Sequence, residues 1–178
     1  MHETLHALRS RGWNVALDTP RELFTSAQRR RYPSAPPLFR AFLGSILDCS
    51  SPRKQCWLYG PRQFARSGAR GFRWNECERM SLDGFAGDEA GAAEVRAFWD
   101  HHIPFMMAVH SDYDYLALRL DSTPVVVHGC APEFEEASVL STTFEGFLTD
   151  LRDAARSSDP PWPLRVFLAD DPGSATSG

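Results

Sequence analysis

The sequence predicts a single α+β domain, a twisted and mostly antiparallel sheet flanked by helices. Three observations carry that expectation. In the middle of the chain three strand-like segments follow one another with only short turns between them, the pattern of antiparallel neighbours. On either side lie segments whose apolar residues recur at helical spacing. The length of 178 residues, with 43% hydrophobic and 24% charged, is enough for one substantial core and short for two. The domain is expected over residues 1–170, with residues 171–178, ending in "PGSATSG", as a frayed tail.

The first helix is predicted in "DTPRELFTSAQRRRYP". There Thr19 caps, Pro20 takes the first helical position and Glu22 completes a capping box, with the end near Tyr32 and Pro33. Arg29, Arg30 and Arg31 suit a helix C-terminus through the macrodipole. No basic-aromatic pattern accompanies them, so they read as a solvated face and not as a nucleic-acid contact. A second helix is predicted in "PPLFRAFLGSILD", where Leu38, Phe42 and Ile46 recur at i, i+4 and i+8 with Phe39, Leu43 and Leu47 beside them.

Next, "QCWLYG" reads as a short strand, "PRQFARSGARG" as a loop and "RGFRWNECERM" as an edge or surface strand. "SLDGFAGDEAG" is a connection into a helix over Ala92–His101, whose start Asp88 or Glu89 favours. The three central strands are "IPFMMAVH", "DYLALRL" and "PVVVHG". In the middle one Leu116, Leu118 and Leu120 point to the core while Tyr115, Ala117 and Arg119 point away, the alternation of a half-buried strand. "DSTP" turns the chain, with Pro124 at a strand start where its missing N–H does least harm. After the loop "CAPEFEEASVL", Thr142 and Glu145 form a second capping box for a helix carrying Phe144, Phe147, Leu148 and Leu151. "PPWPLRVFLADD" is read as a last extended piece.

Several function classes find no support. Apolar runs fall far short of the roughly 20 residues that span a bilayer, and the start "MHETLHALRSRGW" does not resemble a secretory signal, which predicts a cytoplasmic protein with no membrane contact. Cys49, Cys56, Cys77 and Cys130 form no C-x-x-C pair, fitting free structural thiols. No phosphate loop, dinucleotide fingerprint, nucleophile elbow or H-E-x-x-H occurs. The reading is therefore a non-enzyme without cofactor, metal or direct nucleic-acid contact. One alternative remains in "HSDYDYLALRLDSTPVVVHG": His110, Asp112 and Asp114 share a face if extended and, with His128, form an N/O ligand row for a metal-dependent hydrolase. The same residues also read as ordinary turn and strand-end positions.

Charge is unevenly spread. Residues 1–80 hold 14 basic against 6 acidic side chains, and residues 81–178 hold 5 against 17. Such a split marks a charged interaction surface unless the two halves neutralise each other on folding. The loops are the candidate partner contacts: Asp112, Tyr113 and Asp114 in "HSDYD", and Glu133, Phe134, Glu135 and Glu136 in "APEFEEAS". An aromatic ringed by carboxylates can be a binding anchor. It can equally be a core residue with soluble neighbours.

From Arg21 to Leu151 the order of motifs resembles the SUKH superfamily, whose fungal Smi/Knr-type members regulate cell-wall synthesis. Pro37, Phe39, Phe42 and Leu43 resemble its proline followed by an aromatic helix. Ile103, Pro104 and Phe105, followed by Asp112, Asp114, Tyr115, Leu116, Ala117 and Leu118, resemble its "IPF…DGxGDYLALD" segment, and Thr142–Leu148 its "SSFEEFL" helix start. The chain departs at Tyr113, where many relatives have glycine, and at Arg119, where many have aspartate. The resemblance brings no catalytic residue. It implies a bacterial immunity protein that binds a cognate toxin or effector, often a nuclease, with an intracellular scaffold or regulator of the same fold as the alternative.

Overall fold

The computed structural model describes residues 2–65 and 72–169. Along the chain run α1 (His2–Ser10), β1 (Asn14–Leu17), α2 (Ser26–Arg31), α3 (Pro37–Gly44), β2 (Ile46–Ser50), β3 (Cys56–Leu58), α4 (Pro61–Phe64) and α5 (Glu76–Gly84). They continue with α6 (Glu89–His101), β4 (His102–Val109), β5 (Tyr113–Arg119), β6 (Val125–Ala131), β7 (Ser138–Ser141), α7 (Phe144–Arg156) and α8 (Leu164–Leu168). The strands form one seven-stranded antiparallel sheet in the order β1-β2-β3-β4-β5-β6-β7. This is the single α+β domain that the sequence predicts.

Helices cover both faces. On one, Phe39 of α3 and Phe144 and Phe147 of α7 meet Phe105 of β4 at ring-centroid distances of 5.3–5.7 Å. On the other, Trp99 of α6 lies 5.2 Å from the Tyr115 ring and Cys77 of α5 touches Met107. Because both faces are covered, Tyr115, Leu116, Ala117 and Leu118 are all fully buried and Leu120 nearly so. The expected core leucines are in place. The half-buried strand is not, since α5 and α6 turn the supposed outer face of β5 into a second core.

The ends of the chain are sewn together. The Thr4 hydroxyl of α1 donates to the Leu148 carbonyl of α7 at 2.9 Å, and Arg11 donates to Ser157 and Leu168 carbonyls.

Several boundaries differ from the sequence reading, each for a tertiary reason. The first predicted helix begins at Thr25, not Thr19, with Gln28 completing the capping box. Residues 18–24 instead run as a strap whose Asp18 and Arg21 amides donate to the Ser45 and Gly44 carbonyls. The same strap stops the second helix: a Cβ on Gly44 would sit 2.5 Å from the Arg21 carbonyl oxygen, and the "ILD" expected as helix becomes β2.

Glu76 and Glu78 sit in the first turn of α5, where the dipole favours them, and Cys77 and Ser81 form its inner face. The strand expected there is thus a helix. Pro61–Phe64 forms a helical turn inside the expected loop, and residues 66–71 of that loop lie outside the described residues, as does the expected tail, 171–178. The helix expected from Ala92 starts earlier, with the Asp88 carboxylate accepting from the Ala90 and Gly91 amides. Helix α7 is capped by Thr143, not Thr142, through the Gly146 amide at 2.9 Å. The last expected extended piece is helix α8, which buries Leu164, Phe167 and Leu168 at i, i+3 and i+4.

Candidate partner-binding surface

The β6–β7 loop is built over the end of α5. The Ser81 hydroxyl lies 2.6 Å from the Pro132 carbonyl and ties the loop to the helix. Phe134 then turns inward: it is 6% exposed, and its ring meets Phe98 at 5.3 Å and Phe85 at 6.2 Å. The sequence left Phe134 open between anchor and core. The structure places it in the core, one ring deep beneath the surface.

Above it lies a shallow cleft of about 230 Å³, with Phe85, Pro132 and Phe134 as its floor and Glu133, Glu135 and Glu136 on its rim. All three glutamates are exposed. Among the described residues none of them makes an ion pair or a side-chain hydrogen bond, and no basic side chain lines the cleft. Asp83 is exposed next to the lining residue Gly84. Carboxylates without a cation nearby keep their full field for an approaching partner.

The second loop comes to the same end of the sheet, because Tyr113 pairs with Ala131 at the edge from which the β6–β7 loop departs. Asp112 is exposed and accepts from the Ser111 hydroxyl at 3.0 Å. Tyr113, 38% exposed, stacks on Phe72 at 6.2 Å. Asp114 does not join them. It is 8% exposed and accepts from His128 Nε2 at 2.8 Å across the β5–β6 pair, so it serves the inside of the sheet and not a rim.

The four residues of the hydrolase alternative separate accordingly. His128 and Asp114 pair with each other, while His110 Nε2 reaches the Val166 carbonyl at 3.0 Å and lies 3.4 Å from Cys56 Sγ. Among the described residues no three His, Cys, Asp or Glu side chains gather as metal ligands do. Burial raises the Cys49 thiol to about 12 and lifts Cys77 and Cys130 above the ordinary thiol value, so these three stay protonated at neutral pH. Among the described residues no disulfide joins the four cysteines.

No family model, curated protein or solved structure matches the chain. Among the described residues no helix is long and apolar enough to cross a membrane.

Charge across the two halves is only partly neutralised. Arg31 reaches Asp100 at 2.7 Å and Arg152 reaches Glu3 at 3.0 Å across the two halves, while the Arg31–Glu78 pair lies within the first. Most other ion pairs join near neighbours in sequence, such as Arg119 with Asp121 and Arg165 with Asp159. The acidic excess of the second half therefore remains on the surface. The sequence shows the carboxylates of this surface but not what lies under them: Phe85, which lines the cleft, and Phe98, which supports Phe134, fall in a connection and a helix with no visible relation to the loop. The signal was the misread α5, whose correct helical phase brings Ser81 and Phe85 beneath Pro132.

Proposed function

We propose that the chain is a non-enzymatic binding protein of the immunity type, which occupies a basic surface of a cognate toxin or effector through the acidic end of its sheet. The observation that carries this reading is the cleft over Phe134, an apolar floor ringed by three carboxylates with no cation of their own. Such a rim accelerates encounter with a basic partner, while the floor accepts an apolar or aliphatic side chain at the centre of the contact. The motif resemblance to the SUKH superfamily points the same way, because many bacterial members of that superfamily are read as toxin-binding immunity proteins.

Occupying the partner's basic cleft excludes its substrate, so this chain needs no reacting group. Glu133, Glu135, Glu136, Asp112 and Tyr113 are the contact residues, and Asp114 and Phe134 hold the two loops from within. The test is co-expression with the product of the neighbouring gene. That product should arrest growth alone and not when this chain is present, whereas arrest unrelieved by the chain would overturn the reading. In the same pair, Glu133→Lys, Glu135→Lys and Glu136→Lys together should slow association about tenfold or more at low salt and flatten its salt dependence. Unchanged association would remove the loop from the interface.

A further inference from the structure

The sheet ends at β7, which among the described residues pairs with β6 alone. The outer backbone groups of an end strand are a template for another chain, and folded proteins commonly guard them with charge or proline. Here the strand is "SVLS", with neither. Two large hydrophobic side chains flank this edge exposed: Val139 at 51% and Trp162 at 69%. The Trp162 ring sits edge-on to His128 at 5.6 Å, and His128 is the cross-strand partner of Ser138, so the indole overhangs the sheet beside β7. Between Trp162 and α7 runs an open groove of about 360 Å³, with Leu140, Pro161 and Leu164 as its apolar wall and Asp150 and Asp153 at its rim. No basic side chain lines it.

Charge decides what this edge can accept. Glu135 and Glu136 lead directly into β7, and Glu145 follows in the first turn of α7. Two copies paired antiparallel through β7 would bring Glu135 and Glu136 of one beside Glu145 of the other, a like-charge contact at each end. A basic strand meets the opposite situation. We infer that an extended, basic segment of the partner protein adds to the outer edge of β7 as an eighth strand. Its backbone pairs with Ser138–Ser141, its alternate apolar side chains rest on Val139, and the intervening cations, on the opposite face of the sheet, meet Trp162 and Asp150, with Glu135 and Glu136 at the start of the strand. The inference rests on the proposed partner-binding role and gives that partner a form, a strand-forming basic segment beside the cleft.

The test uses the full chain and three synthetic peptides: one of alternating arginine and valine, its glutamate–valine counterpart, and an arginine–valine peptide N-methylated at alternate amides. The arginine–valine peptide should slow amide hydrogen exchange in Ser138–Ser141 at least tenfold. The glutamate and N-methylated peptides should each bind at least tenfold more weakly. Val139→Lys, a change at an exposed edge position that leaves the core untouched, should weaken the arginine–valine peptide at least fivefold. Absence of binding, unchanged affinity after N-methylation, or binding without protection of these amides would overturn strand addition. Protection that grows with protein concentration in the absence of peptide would assign the edge to a second copy and overturn it equally. Failure of growth rescue with strand addition intact would sink only the immunity role, and rescue without strand addition only this inference.

Discussion

Replacing Phe134 by alanine separates a core residue from a binding anchor. The ring is 6% exposed and packed against Phe98 at 5.3 Å and Phe85 at 6.2 Å. Truncating a buried phenylalanine costs about 3–5 kcal/mol, of which each well-placed aromatic pair supplies roughly 0.5–1.5 kcal/mol. The cleft above the ring lets water reach the vacated space, so the low end applies and Phe134→Ala should lose about 3 kcal/mol. In a domain of this size that lowers Tm by roughly 6–12 °C. Phe134→Leu, which keeps most of the volume, should lose about 1 kcal/mol. Urea unfolding followed by circular dichroism measures both, provided the m value stays that of the parent protein. A loss under about 1 kcal/mol for the alanine variant at unchanged m would show that the ring contributes little to the core. It would return Phe134 to the role of a surface anchor.

His102 offers a pH test. Burial pulls its imidazole from 6.5 down to about 4, while its ring stacks on Phe98 at 3.7 Å and Nδ1 lies 2.7 Å from the Phe98 carbonyl. The unfolded chain takes up the proton near pH 6.5 and the folded chain only near 4. The contribution is therefore complete above about 6.5 and lost as pH falls through 4, about 3 kcal/mol in all. His102→Asn, which keeps a donor without the titration, should flatten the fall in unfolding free energy between pH 7 and 4 by that amount. Glu78→Ala should cost about 2 kcal/mol in denaturant titration, because it strips the bidentate partner from the half-buried Arg31 guanidinium and leaves it only Asp100. Arg31→Met with Glu78→Met should cost less than the single Glu78 change. The Tyr115 hydroxyl is buried without a hydrogen-bond partner among the described residues, so Tyr115→Phe should be neutral or stabilise by up to about 1 kcal/mol in the same assay.

What could be read from the sequence depended on how far each element's cause lies along the chain. Strands β4 to β6 were legible because alternation and short turns are local, and their Cα register shows consecutive hairpins. Helices α6 and α7 were legible for the same reason, to within a few residues at their starts. Strand β1 was not: "NVAL" is too short to show alternation and is a strand because Val15 pairs with Cys49, 34 positions away. The end of α3 was hidden because Leu38, Phe42 and Ile46 keep helical spacing straight through the stop. The stop is made by distant partners: the Arg21 backbone lies against Gly44, and Ile46 pairs with Leu17 in the sheet. At the candidate surface the exposed carboxylates could be read directly, since their exposure follows from their own chemistry. The burial of Phe134 depends on Phe85 and Phe98, and that of Asp114 on His128, neither of which a loop sequence displays.

The seam between α1 and α7 sets a schedule for the molecule's birth. Ribosomes release α1 well before its dock, α7, which begins at Phe144, and the carbonyls that receive Arg11 lie later still, at Ser157 and Leu168. For most of translation Leu5 and Leu8 must therefore face water or a chaperone, their burial deferred until the C-terminal fifth emerges. A nascent fragment halted before that point holds α1 without the helix and carbonyls that receive it.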